Sequence, residues 1–342
     1  MSGVVQDLWA NSDRNVLSPV YDFQEKNRGL RLKLASDSYL TIVNAIIRPP
    51  RCIYNVREDL GPEHFYYNRQ TRLMIREDSS IKSPSRGKIE ISEWTPQQVH
   101  DKSLCIVYVH GNSGGRIDVR SNGILDMASE RNIPVVAFDC AGSGLSDGDY
   151  CTLGYYERDD LAFVVDELCK NRQREKIILW GFSMGAATCL LYTSKMELSS
   201  IRSQKPHNIA SMVLDSSFSS FRELVLKHPM AMEKRGCGAL LRILYPFVRR
   251  SVRRRSGMNV DDLDVLSALT IIRDHIPAAF IGCTNDMVVP YSHGVLLHEK
   301  YNGSKKKFWS LEGDHHDHNS RRPTHTLDEV TDFVVSGVSG VS

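Results

Sequence analysis

The chain has 342 residues, 25% of them charged, and a formal net charge of +2, so it is long enough to bury a sizeable core in one large domain or two smaller ones. The charge is unevenly spread: VRRSVRRR at 248–255 and KKK at 305–307 are basic runs, but no nucleic-acid motif backs either one and no nucleic-acid partner is expected. Eight cysteines, at 52, 105, 140, 151, 169, 189, 237 and 283, form no C-x-x-C pair and several fall inside apolar segments, which favours a reducing compartment over secretion and a cytoplasmic location. The N-terminus has no basic region followed by a long apolar run, so neither a signal peptide nor a transmembrane segment is expected.

Residues 1–38 are polar and irregular, and LTIVNAIIRPP (40–50) reads as a short lead-in helix stopped by Pro49 and Pro50. It is expected to pack against the body, with contact to a membrane surface as the alternative. We take residues 1–65 as extension and lead-in, and 66–342 as the main domain. NRQTRLMIRED (68–78) and GKIEISEW (87–94) flank a Ser/Pro/Gly turn and predict an antiparallel hairpin. From residue 104 short apolar, β-branched runs predict strands at 104–110, 133–139, 176–180, 211–215, 277–282 and 306–313. Helical spacing predicts helices at 155–171, 184–196, 292–301 and 326–337. This alternation implies an α/β fold with a mostly parallel central sheet flanked by helices. Residues 216–276 break the alternation, and CGALLRILYPFVRRSVRRRSG within them reads as an inserted helical cap interrupted by Pro246.

Gly-x-Ser-x-Gly occurs three times, around Ser113, Ser146 and Ser183. A nucleophilic serine needs a sharp strand-to-helix turn that projects its hydroxyl, with small residues where strand and helix pass. Only Ser183 has that context: IILW precedes it, MGAATCLL comes after it, and Gly181 and Gly185 flank it. The alternative is a structural turn serine. In YVHGNSGGR, Gly111 opens a loop whose Asn112 amide can pair with that of Met184 to hold an oxyanion, unless the loop is a plain glycine turn. FDCAGSGLSDGDY, beginning with the strand end at Asp139, reads as scaffold near the site.

A serine nucleophile needs a base and an orienting carboxylate, in the order Ser, acid, His beyond later strands. Asp286, just past the strand AAFIG, is the expected acid, with Asp215 one strand earlier as the fallback. LEGDHHDHNSRRP offers His315, His316 and His318. A zinc site there is disfavoured, because the HExxH spacing is absent; no metal and no cofactor are expected.

Taken together these residues resemble the α/β-hydrolase superfamily. Over about 42–335 the chain looks like a branch of uncharacterised plant and protist α/β-hydrolases, often labelled serine aminopeptidase S33-like. The segments that carry the resemblance are IIRPPRCIY, YVHGNSGGR, GSGLSDGDYCTLGYYERDDL, LWGFSMGAATCLLY, MVLDSSFS and DHNSRRP. That branch reads Gly-Asp-His-Asn-Ser-x-Arg-Pro, whereas this chain contains three extra residues. Asn319, Ser320, Arg322 and Pro323 match the branch's residues after the histidine, so the resemblance favours His318 as base; Gly313 and Asp314 match the residues before it and keep His315 as the alternative.

The expectation is therefore a serine hydrolase with the α/β-hydrolase fold, cleaving a carboxylic ester, thioester or amide, and most like an esterase, lipase or acyl-thioesterase. The alternatives are an S33-like peptidase and a non-catalytic binding protein on the same fold. The expected partner is a small-molecule or acyl-chain substrate, with Leu240, Leu241, Leu244 and Phe247 of the cap as candidate pocket walls and the arginine run as a candidate for peripheral membrane contact.

Overall fold

The computed structural model describes residues 39–40, 43–67, 72–226, 237–316 and 324–338. The chain divides into two compact units, Met1–Leu40 and Thr41–Ser342, and the strands and helices named here lie in the second. Its strands are β1 (His64–Tyr67), β2 (Arg72–Ser83), β3 (Gly87–Pro96), β4 (Leu104–Val109), β5 (Val135–Phe138), β6 (Lys176–Phe182), β7 (Ile209–Asp215), β8 (Ala278–Cys283) and β9 (Lys306–Leu311). They form one sheet in the order β1-β2-β3-β5-β4-β6-β7-β8-β9. The first three strands are antiparallel to their neighbours, and β4 to β9 are parallel to one another.

The helices are α1 (Ile124–Arg131), α2 (Glu157–Asn171), α3 (Met184–Ser203), α4 (Phe221–Leu226), α5 (Cys237–Ser256), α6 (Val265–Leu269), α7 (Tyr291–Lys300) and α8 (Thr324–Val338). All six residues of β4 and of β8 are buried, as strands covered on both faces must be. Alternate side chains divide between the faces. Ile106, Tyr108, Ile178, Trp180, Val213 and Ile281 meet Ile124 and Leu125 of α1 and Val330 and Val334 of α8. On the other face α3 packs on β4, β6 and β7, flanked by α2 and α6. α3 is buried along nearly all of its first half, which explains its small, apolar opening MGAATCLL. Each fully buried Leu, Ile or Val in these layers contributes roughly 1.5–3 kcal/mol.

The expected hairpin is β2–β3, closed by the Ser83–Gly87 pair; residues 68–71 lie outside the described residues. The segment between β7 and β8 carries α4, α5 and α6. α5 runs through Pro246 rather than breaking at it. Proline removes the bond to the carbonyl four residues back, yet the buried Val248 and Val252 hold the inner face of the helix on both sides of the next turn.

Residues 43–47 are helical and end before Pro49 and Pro50. Val43 and Ile47 are fully buried, and the Ile47 carbonyl accepts from the Cys151 amide at 3.0 Å. The Arg51 guanidinium donates to the carbonyls of Ser146 at 2.7 Å and Gly148 at 2.5 Å. This lead-in is thus fastened to the loop after β5 and shares the core of the main body. No helix among the described residues is long and apolar enough to cross a membrane.

Candidate active site

Between β6 and α3 the chain reverses through Ser183, whose backbone lies at φ 53° and ψ −115°. A non-glycine residue there is strained and persists only where its surroundings fix it. The Ser183 amide donates to the Asp215 carbonyl at 2.7 Å, and its carbonyl accepts from Ala186 at 3.0 Å. The flanking glycines are required sterically. A Cβ on Gly185 would sit 1.9 Å from the Val109 carbonyl oxygen, and one on Gly181 would sit 2.5 Å from the Ala186 Cα. Strand, turn and helix therefore present the Ser183 side chain as the sequence context predicts. The two rival serines do other work. Ser146 Oγ donates to the Asp139 carbonyl at 2.6 Å and accepts from the Glu90 amide at 2.9 Å, whereas Ser113 turns the loop after β4 at φ 64°.

Asp286 lies just beyond β8 and is buried, with 4% of its surface exposed. Its Oδ1 accepts from the amides of Val288 at 2.9 Å and Val289 at 2.7 Å. Its Oδ2 meets His315 Nδ1 at 2.6 Å, and His315 Nε2 lies 2.9 Å from Ser183 Oγ. A carboxylate only accepts, so Nδ1 carries the proton and Nε2 offers its lone pair to the hydroxyl. The Phe182 ring lies against this imidazole, with centroids 5.0 Å apart. The fallback Asp215 takes a different place, its Oδ1 accepting from Ser216 Oγ at 3.0 Å.

The imidazole between Ser183 and Asp286 is that of His315, and this corrects the preference for His318. The reason is register. The Thr284 amide donates to the Leu311 carbonyl at 2.9 Å and the Asn285 amide to the Gly313 carbonyl at 3.1 Å, so the chain leaving β9 is laid along the chain leaving β8. Gly313 then turns at φ 122°, which brings the histidine two positions later beside Asp286. His316 is exposed and its amide bonds to Asp314 Oδ1 at 2.9 Å. His318, with the rest of DHNSRRP, lies outside the described residues.

Sequence reasoning passed over His110. This fully buried residue accepts from the Cys140 amide at Nε2, 3.0 Å, and meets the Gly111 carbonyl at Nδ1, 2.7 Å; with Nε2 accepting, Nδ1 is the donor. The Gly114 amide donates to the same carbonyl at 3.0 Å. Carbonyl and N–H point oppositely across a trans peptide, so fixing the Gly111 carbonyl fixes the Asn112 N–H on the other side. Met184 is the first residue of α3, where an amide has no partner within the helix. Asn112, Ser183 and Met184 line one cavity.

Asp139 holds the loop from beneath, accepting from Tyr54 Oη at 2.5 Å and from the amides of Arg116 at 2.7 Å and Leu145 at 2.9 Å. Burial and the Asp139 charge push the Tyr54 phenol up, despite Arg116, so it stays a donor. Asp139 thus serves as the scaffold expected of it, and the signal for His110 was of the same kind, a polar residue closing an apolar strand.

The cavity over Ser183 measures about 350 Å³, and its walls are mainly apolar: Ala45 and Ile46 of the lead-in, Leu153, Phe218, Phe221 and Leu224, Leu244 and Val248 of α5, and Val289 beyond Asp286. Of the four cap residues expected there, Leu244 lines it and Phe247 points outward, 61% exposed; the side chains of Leu240 and Leu241 lie outside the described residues.

Among the described residues one group is spaced to hold a metal ion: Glu197, His207 and His275. Glu197 is 14 residues along α3 from Ser183, about 21 Å at 1.5 Å per residue. The Ile209 amide donates to His207 Nδ1 at 3.2 Å, which leaves the proton of the neutral ring on Nε2, facing Glu197 Oε1 at 3.4 Å. Arg273 Nε bonds the other carboxylate oxygen at 2.7 Å. Arg273 thus neutralises the carboxylate, while Glu197 Oε1 and His207 Nε2 lie close without a hydrogen bond between them. Burial pushes His207 down, and burial of Glu197 is outweighed by Arg273 and His207, which hold its carboxyl below the ordinary value.

The sheet order and the turn at Ser183 define the α/β-hydrolase fold. Residues 105–238 match the model of a family described as alpha/beta hydrolase fold. An uncharacterised Bacillus subtilis (strain 168) protein, YqkD, is 27% identical over 218 residues, 63% of this chain and 66% of that protein. A Danio rerio protein named lysophosphatidylserine lipase ABHD12 is 24% identical over 224 residues, 64% of this chain and 54% of that protein. The matches thus span between about half and two thirds of these relatives' lengths. Among solved structures, the esterase Pf2001 of Pyrococcus furiosus aligns with a TM-score of 0.58 at 19% identity, over 84% of this chain and 99% of that one. An acylaminoacyl peptidase from Pyrococcus horikoshii aligns at 0.55 and 13% identity, over 77% of this chain and 41% of that one. Esterase and peptidase share this fold, so the substrate has to be read from the site.

Proposed function

We propose that the protein is a serine hydrolase that cleaves carboxylic esters or thioesters of apolar acyl groups through Ser183, His315 and Asp286. The observation that carries this is the continuous chain Asp286–His315–Ser183, at 2.6 and 2.9 Å, ending in a strained elbow that faces an apolar cavity. Ser183 Oγ attacks the carbonyl carbon while His315 Nε2 takes its proton, and Asp286 stabilises the imidazolium. The carbonyl oxygen becomes an oxyanion held by the amides of Asn112 and Met184. Collapse breaks the ester bond, and the leaving alkoxide or thiolate takes the proton from His315. Water activated by the same imidazole then hydrolyses the acyl-enzyme.

A peptidase that reads a free amino terminus needs a carboxylate near the nucleophile. Among the described residues the cavity wall contains none, and this favours the ester reading. The S33-like likeness stays part of the proposal at the level of ancestry, resting on the shared sequence motifs. The test is hydrolysis of p-nitrophenyl esters of increasing acyl length. Turnover should rise from acetyl to medium chains and vanish in Ser183→Ala; equal turnover by that variant, or hydrolysis confined to aminoacyl substrates, refutes the reading.

A further inference from the structure

α5 has two opposed faces. Val248 and Val252 are buried, and Leu244 and Val248 form part of the cavity wall. Residues three, four and seven apart share a helix face, so Ile243, Phe247, Arg250 and Arg254 make one stripe on the opposite side. Ile243 is 64% and Phe247 61% exposed, and Arg250 and Arg254 are exposed as well. A soluble helix seldom places two large apolar side chains one turn apart in solvent.

The charge on α5 has one sign. The helix contains six arginines and no acidic residue, and among the described residues only Arg249 has an ion-pair partner, Asp261 at 2.5 Å. Beyond Asp286, Met287 is 49% and Val288 44% exposed, and Val288 lines the same cavity. Exposed apolar groups therefore belong to two elements that also line the cavity containing Ser183, with arginines continuing the α5 stripe.

We propose that the outer face of α5 docks the protein on an anionic lipid surface, inserting Ile243 and Phe247 at the level of the headgroups while Arg250, Arg253 and Arg254 meet lipid phosphates. Helices of this kind lie in the interface plane, bound by buried apolar area together with attraction to anionic headgroups. Docking this face sets the cavity beside the bilayer, so the substrate is the acyl ester of a lipid taken from that surface. The substrate clause rests on the proposed hydrolase reading, whereas the docking clause stands without it.

The experiment is co-sedimentation of the full chain with phosphatidylcholine vesicles, with and without phosphatidylserine, alongside hydrolysis of a short water-soluble ester. The wild type should sediment with the phosphatidylserine vesicles, bind the neutral ones at least about tenfold less, and lose binding as salt rises. Phe247→Ser and the pair Arg250→Gln/Arg254→Gln should each weaken vesicle binding about tenfold and leave hydrolysis of the soluble ester and the melting temperature unchanged. Ser183→Ala should bind vesicles as the wild type does. Equal binding to both vesicle types, variants that bind like the wild type, or capture of nucleic acid in preference to vesicles overturns the docking. Vesicle binding without hydrolysis of any ester leaves docking intact and overturns the hydrolase reading instead.

Discussion

On the proposed reading Ser183, His315 and Asp286 depend on one another: the hydroxyl needs the imidazole as base, and the imidazole needs its tautomer fixed by a carboxylate that the amides of Val288 and Val289 hold. On the proposed reading His315→Ala should lower kcat on the order of 10⁴-fold, and Asp286→Asn by a comparable amount because the wrong tautomer then faces Ser183. His318→Ala should retain most of the activity. Steady-state kinetics on variants of equal melting temperature decide this, and the reverse ranking of the two histidines would restore His318 as the base. On the same reading His110 aims the Asn112 amide, so His110→Ala should reduce kcat about tenfold to a hundredfold with little change in KM. An increase in KM alone would show that His110 serves binding. The places of Ser183 at a strand-to-helix turn and of Asp286 just past a strand were legible, because strand, turn and helix are local patterns. His315 was not, because its place is fixed by pairing between the exits of β8 and β9, two segments about thirty residues apart in the sequence, and the motif downstream of it drew the choice three positions too far.

β6, the elbow and α3 form one mechanical unit, since α3 crosses β4 at Gly185 with no room for a side chain. Gly185→Ala should force strand and helix apart and cost about 3 kcal/mol or more, seen as a lower melting temperature together with lost turnover; a variant of unchanged stability would mean that the close approach is not required. Beneath the loop after β5, Asp160 opens α2, accepts from the Ala141 amide at 2.9 Å and meets Arg86 Nε at 3.3 Å. Burial raises its carboxyl to about 7, against the pull of Arg86. The unfolded chain loses this proton near the ordinary value of 3.8 while the folded chain keeps it to about 7, so its contribution to stability falls as pH rises across that window and is constant above it. Asp160→Asn should therefore flatten the decline in melting temperature between about pH 4 and 7; an unchanged slope would assign that decline to other groups. Strand and helix order were read well from apolar runs with both faces covered. The continuity of α5 through Pro246 was not, because packing of Val248 and Val252 overrides what proline alone dictates.

At the scale of the molecule, the parallel sheet brings the ends of β4, β6 and β8 to one edge, where loops separated by more than 170 residues converge on a single cavity, the usual place for a site in an open α/β sheet. The sequence showed the alternation that builds this edge, and residues 216–276, which break it, supply Phe218, Phe221, Leu224, Leu244 and Val248 to the cavity wall. It did not show that the lead-in helix supplies Ala45 and Ile46 to the same wall, since nothing local marks a contact made across the fold. All of this converges on one hydroxyl. Labelling the full chain with a fluorophosphonate, then mapping the modified residue by peptide analysis, tests it most directly. We predict a single adduct on Ser183, absent in Ser183→Ala, formed far more slowly in His315→Ala and at a normal rate in Ser113→Ala and Ser146→Ala. Undiminished labelling of Ser183→Ala, or a folded wild type that takes no label, would contradict the account.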